Sequence, residues 1–371
     1  MRQGAPKNWF GYDTRSLPSA LVMAGVDLLR PFRKARRFEW AGPCVISSLG
    51  GIGDLFIHLP LLSGLVKRCE ALNLPVQVAL MPGHAAIGRL CGWDVVEFDN
   101  QLVSFFKNRR AVALASVYEQ IKLTRARKIA LWIDLTGNAV NAAIFKSSSV
   151  ASLAARVTRG GRSLTDYPLP HRVGDNEYEH CTVLAEYFGC ELDFGIFDRL
   201  VGNAPPNRQI VLAISTACQW RNWPLSNFLQ LVQAFPEEEF VIVGLKKELT
   251  EADRSVLEAI QSSPNVADRM DSLSLDSLIS LIAHCKAIVS NDTGAAHIAR
   301  AYQRLGAVIF GPTPLSFWAE GSLKLFHDTT CPHYPCVMWK CRTPENWCME
   351  KVSAQPVITH LSSVLKEPRA E

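Results

Sequence analysis

From Pro43 onward, short β-rich runs recur with helix-sized stretches between them, and this alternation limits the possible folds more than any other feature of the chain. The runs are CVISS, VQVAL, DVVEF and KIALWIDLTG, then, beyond a polar patch, QIVLAIST, EFVIVG, KAIVSND and AVIFGPT. Strands spaced by helices predict βαβ units and parallel sheets. With 371 residues and 48% hydrophobic content, the chain exceeds what one core usually holds, so two such domains are expected. The stretch VGNAPPNRQ, residues 201–209, reads as the linker between them. The expected organisation is an extension over 1–40, Rossmann-like domains over 41–202 and 207–350, and a terminal helix within 351–371. Val357, Ile358, Leu361 and Leu365 have the helical spacing for that last element.

Composition narrows the function classes. Lys and Arg number 39 against 35 Asp and Glu, a net charge of +4, which gives no basis for nucleic-acid wrapping. Eleven cysteines with no leader-like start predict a reducing, cytoplasmic setting. No run reaches the roughly 18 apolar residues of a spanning helix, so membrane contact would be peripheral. Its natural candidate is SALVMAGVDLLRPFRKARRFEW, where an apolar stretch meets Arg30, Arg33, Lys34, Arg36 and Arg37. That segment reads equally as a membrane-surface helix or as a capping helix with a solvated basic loop.

Both halves open with the same device, a strand running into a loop and then a helix. In the first, CVISS leads through Gly50, Gly51 and Gly53 to a helix expected to start at Asp54. The glycines allow close approach of a ligand to backbone, although the spacing is not the dinucleotide fingerprint G-x-G-x-x-G. Asp54 either caps the helix or presents a carboxylate at the sheet edge as a general base. In the second half, QIVLAIST leads through Thr216 and Arg221 to a helix near Trp223-Pro224. An arginine beside a hydroxyl there can neutralise a diphosphate. Further on, Asp292, Thr293 and Gly294 follow a strand and open a helix carrying His297. A helix start with free N–H groups suits phosphate oxygens. His297 reads as a ligand contact or as a structural histidine.

These three motifs, in this order, resemble the bacterial ADP-heptose:lipopolysaccharide heptosyltransferase family, with the most specific likeness in Gly53-Asp54, Trp223-Pro224, NDTGAAHIA and IFGPTP. The resemblance implies an α/β GT-B fold, two Rossmann-like domains with parallel sheets facing across a cleft. It implies metal-independent, inverting transfer of a sugar from a nucleotide-sugar donor, ADP-heptose, to a lipopolysaccharide core or another glycan, glycolipid or protein acceptor, with no cofactor needed for catalysis. By the same likeness, Asp54 is the catalytic base; Thr216, Arg221, Asp292, Thr293, Gly294 and His297 bind donor phosphate; Glu248 meets the ribose; and Gly50, Gly51 and Gly53 form an acceptor-side loop. Many members have lysine where Arg221 stands. Consistent with metal-independence, the chain has no D-x-D motif.

Cys331, Cys336, Cys341 and Cys348 lie close together in CPHYPCVMWKCRTPENWC. Four thiols in one loop either hold a structural iron or zinc or remain reduced and unligated. Some relatives that the sequence resembles carry a similar cluster, which in certain protein-glycosylating members holds iron. Two further function classes share the general pattern. One is a Rossmann oxidoreductase, disfavoured by the first loop, and the other is a sugar-nucleotide-binding protein without turnover, disfavoured by Asp54.

Overall fold

The computed structural model describes residues 37–99, 114–137, 139–157, 161–171, 176–201, 207–315, 321–334, 336, 341, 343 and 347–366. The basic residues from Arg30 to Arg36 and linker positions 202–206 lie outside the described residues. The chain divides into two compact units, Met1–Leu200 and Val201–Glu371.

The first unit runs β1 (Cys44–Ser48), α1 (Ile52–Ala71), β2 (Val76–Leu80), α2 (Ala85–Leu90), β3 (Val95–Glu97), α3 (Leu114–Ala126) and β4 (Leu131–Asp134). It continues with α4 (Ala139–Ser147), β5 (Ser152–Ala155), β6 (Tyr167–Pro168), α5 (Glu177–Phe188) and α6 (Ile196–Val201). Among the described residues its six strands are ordered β3-β2-β1-β4-β5-β6, all parallel. Every residue of β1 and β4 is buried. Helices on both faces require this, although each strand ends in buried polar side chains, Ser47 and Ser48 in β1 and Asp134 in β4. Trp132 stacks on Phe145 with centroids 4.0 Å apart, and Phe98 packs against both. On another side of the unit, Phe38 sets its ring against Trp40, Tyr167, Tyr187 and Phe188.

The second unit runs β7 (Ile210–Ala213), α7 (Leu225–Ala234), β8 (Phe240–Val243), α8 (Arg254–Gln261), β9 (Val266–Asp268) and α9 (Leu275–His284). There follow β10 (Ala287–Asn291), α10 (Gly294–Ala301), β11 (Gly306–Phe310), β12 (Leu323–His327) and α11 (Ala354–Lys366). The strand order β12-β11-β10-β7-β8-β9, read from the other edge, repeats the topology of the first sheet. In each unit the order reverses beside the first strand, between β1 and β4 and between β7 and β10. In open parallel sheets, ligands bind at this switch point, beyond the carboxyl ends of the strands. Helix α7 buries Leu225, Phe228, Leu231 and Val232, an amphipathic spacing, and α11 adds Val357, Leu361 and Val364 to the same core.

Several elements differ from the sequence expectation. Strands β5, β6, β9 and β12 were not expected, and only Leu131–Asp134 of KIALWIDLTG is strand. Helix α1 starts at Ile52 rather than Asp54, because Gly51 is the extended N-cap and Asp54 occupies the third helical position. Pro224 likewise stands at the N-cap of α7, one place before the first helical residue.

Candidate functional site

In the first unit, the loop after β1 wraps closely around Asp54. Its Oδ2 accepts the Gly51 N–H at 2.8 Å, while the residue itself stays exposed. The Asp54 side chain lies so near Gly50 that a Cβ there would meet Oδ2 at 2.3 Å. Only glycine fits at position 50 with this carboxylate in place. Gly53 lies in the first turn of α1. The cap and the presented carboxylate are therefore one arrangement, with one oxygen turned to backbone on a side chain that solvent reaches.

Polar groups that sequence reasoning missed gather at the same sheet edge. His58, one turn beyond Asp54, is buried and lies 2.9 Å from the Ser48 hydroxyl at the end of β1. Burial lowers the pKa of His58, against the attraction of Glu177 and Asp54, and this favours a neutral ring. His84, after β2, is also lowered by burial, with the Asp54 charge opposing. Arg156, just after β5, makes two hydrogen bonds to Glu177 at 2.6 and 3.1 Å. Burial alone would raise Glu177, but Arg156 outweighs it and holds the carboxyl down at about 2. His180 is pushed down to about 3, first by burial and then by Arg156. Neither of its ring nitrogens has a hydrogen-bond partner among the described residues. Asp134, at the end of β4, is raised by burial despite hydrogen bonds from Ser47 and the Thr136 amide. These residues come from α1, α5 and three strand ends, so no local spacing announces them.

In the second unit, three loops at the switch point form one hydrogen-bonded cradle. The Thr216 amide donates to Asn222 Oδ1 at 2.8 Å, and Asn222 Nδ2 donates to the Glu248 carbonyl at 3.1 Å. Ser215 donates to the Glu248 carboxylate at 2.8 Å. The Trp223 amide donates to Asn291 Oδ1 at 2.9 Å, which ties the loop to the end of β10. Within the cradle, Arg221 stands 3.6 Å from Asp292, with the guanidinium partly exposed and the carboxylate buried. Thr293 is the N-cap of α10, its hydroxyl accepting from Ala295 N, and Gly294 is the first helical residue. The Thr216 hydroxyl is turned into its own loop, donating to the Cys218 carbonyl at 2.7 Å. His297 lies half-buried one turn into α10. Sequence reasoning did not single out Ser215 or Asn222; two Asn and Ser side chains flanking a strand end were the available signal.

The four clustered cysteines converge. Cys331, Cys336, Cys341 and Cys348 line one cavity of about 20 Å³ together with Trp220, His333 and Trp347. Burial, reinforced by the other three thiols, pushes the Cys348 thiol up to about 12. As a donor set, four thiols around a void of this size suit iron or zinc. They stand short of a closed shell, since among the described residues no group of three or more His, Cys, Asp or Glu is arranged to hold an ion.

Two successive parallel units of this strand order, each with its polar groups beyond the carboxyl ends, have the architecture of the GT-B glycosyltransferases. The E. coli heptosyltransferase WaaC, solved with ADP-2-deoxy-2-fluoro heptose, has the same fold, with a TM-score of 0.65 at 16% identity over 86% of this chain and 99% of that one. Residues 194–345 match the model of glycosyltransferase family 9 (heptosyltransferase). Over 152 residues the chain is 26% identical to lipooligosaccharide heptosyltransferase 2 of Campylobacter jejuni subsp. jejuni serotype O:2, covering 39% of this chain and 47% of that relative. The match thus spans about half the length of that curated relative. The iron-containing heptosyltransferase TibC, from enterotoxigenic E. coli H10407, is a more distant fold relative, with a TM-score of 0.50 at 10% identity over 90% of this chain and 77% of that one. Among the described residues, no helix is long and apolar enough to cross a membrane.

Proposed function

We propose that the chain is an inverting, metal-independent glycosyltransferase that moves heptose from ADP-heptose to a glycan or glycolipid acceptor on the cytoplasmic side of the membrane. The observation that carries this reading is the cradle around Arg221, built at the switch point of a unit whose sequence matches the heptosyltransferase family. A departing diphosphate carries developing negative charge, and a divalent ion is one way to absorb it. Here Arg221 and the α10 start at Thr293 and Gly294 take that part. Asp292 holds the guanidinium in place until the phosphates share it. Glu248, fixed by Ser215, accepts hydrogen bonds from the ribose hydroxyls. His297 is close enough along α10 to add a donor.

Asp54 is the proposed base, taking the acceptor hydroxyl's proton as that oxygen attacks the anomeric carbon and the C–O bond to the diphosphate breaks. Attack opposite the leaving group inverts the anomeric centre. The Gly50–Gly53 loop keeps the carboxylate exposed to an acceptor. Calorimetry with ADP tests the donor side: Arg221→Ala is expected to weaken binding by about ten- to a hundredfold, the range for losing one charged hydrogen-bonding partner. Unchanged affinity would remove Arg221 from the phosphate site.

A structural iron or zinc, held by Cys331, Cys336, Cys341 and Cys348, belongs to the same proposal. Four thiolates leave no open coordination position, so such an ion would brace its loop and take no part in transfer. Protein purified without chelator is expected to contain about one iron or zinc per chain, lost when Cys336 and Cys341 are both replaced by Ser. A folded, reduced protein containing neither metal would overturn this assignment.

A further inference from the structure

The loop that carries Arg221 does not hold its shape alone. Trp347, 127 positions further along the chain, donates from Nε1 to the Trp220 carbonyl at 2.8 Å. Its ring also meets the Trp220 ring edge-on, at 6.1 Å between centroids. The Trp220 carbonyl belongs to the peptide whose N–H is that of Arg221, and that N–H donates to the Cys218 carbonyl at 2.8 Å. Both faces of this one peptide are therefore fixed, and the Arg221 side chain departs from it.

The same short segment grips the far end of the loop. Trp223 Nε1 and Asn227 Nδ2 both donate to the Val352 carbonyl, at 2.5 and 3.3 Å. Beside them, Met349 and Cys348 fill the space over Gly311, where a Cβ would lie 2.6 Å from the Met349 sulfur. Residues 347–352 thus splint the loop at two points and pack on the turn after β11. Trp347 and Trp220 are also two walls of the cysteine-lined cavity.

We infer that Trp347 is a positioning residue for nucleoside-diphosphate binding, aiming the Arg221 guanidinium by fixing the Trp220–Arg221 peptide. The inference rests on the reading of Arg221 as a diphosphate ligand. An unsplinted loop would spread the guanidinium over several positions, and ordering it again would be drawn from binding energy. The cost should therefore appear in donor affinity more than in global stability.

ADP titration of the full chain by calorimetry, with thermal melting alongside, tests this. Trp347→Phe keeps a ring against Trp220 and loses the N–H; it is expected to weaken ADP binding about three- to tenfold, the range for one hydrogen bond. Trp347→Ala removes both contacts and is expected to weaken it more than tenfold. Lys351→Ala, which cuts the bond to Thr330 in the same segment without touching the loop, is expected to leave affinity unchanged. Should Trp347→Ala fail to fold, Trp347→Phe decides alone. Wild-type ADP affinity in the Trp347 variants, beside a weakened Arg221→Ala, would overturn the inference and leave the diphosphate reading standing. If Arg221→Ala also binds normally, that reading fails and the inference falls with it.

Discussion

Asp54→Asn is expected to lower turnover by about 10²- to 10⁴-fold, the contribution of a positioned general base, while ADP affinity stays within about twofold of wild type. The substitution suits the local geometry. An asparagine Oδ1 can still accept the Gly51 N–H that the carboxylate now holds at 2.8 Å, so the start of α1 keeps its cap. The amide cannot take a proton. A helix-capping role alone would leave Asp54→Asn nearly as active as wild type, and that result would end the assignment. Asp54→Ala removes the cap as well, so it should lose turnover and in addition about 1 kcal/mol of stability. Release of ADP from ADP-heptose in the presence of acceptor, followed over time, reads both variants.

The second large effect is structural. Gly306→Ala is expected to destabilise the second unit by about 4 kcal/mol or more, beyond the range of ordinary substitutions. Gly306 opens β11 at φ +144°, and a Cβ there would lie 1.8 Å from the Ile288 carbonyl oxygen. The clashing atoms are backbone atoms of β10, paired in register with Gly306, so relief would require separating two neighbouring interior strands. Gly189→Ala is the matched control. Gly189 is also left-handed, at φ +63°, but among the described residues nothing lies within 4 Å of its missing Cβ. That change should cost only about 1–2 kcal/mol of backbone strain. Urea unfolding midpoints separate the two cases, and equal costs would show that the strand contact yields more easily than its geometry implies.

What the sequence revealed, and what it hid, follows from how far apart the interacting residues lie. Strands buried on both faces announced themselves, as in the FVIV of β8, because burial favours a continuous apolar run. Strand β5 (SLAA) and the two-residue β6 containing Pro168 lack that signal; neighbouring strands impose their pairing. Asp54 and the NDTG turn were legible because a strand, a loop and a helix start are contiguous. The ion pair of Arg156 with Glu177 was not, nor was the pairing of Ser215 with Glu248, since each joins segments that meet only after the sheet forms. The four cysteines were visible as a cluster. Their convergence on Trp220 was not, because that contact is made across the chain.

All strands within each sheet point the same way, so each unit has one edge of carboxyl ends and an opposite edge of amino ends. Asp54, Arg156, Thr216, Glu248, Asp292 and the cysteine segment all follow strand carboxyl ends. The turns that enter the strands, such as Asn73–Pro75 before β2 and Ser263–Asn265 before β9, carry none of these groups and close instead through backbone bonds like Cys44 N–H to the Pro75 carbonyl. Tolerance to change is therefore divided in space. Lengthened or tagged entry turns tax only folding, whereas the exit turns answer for chemistry as well.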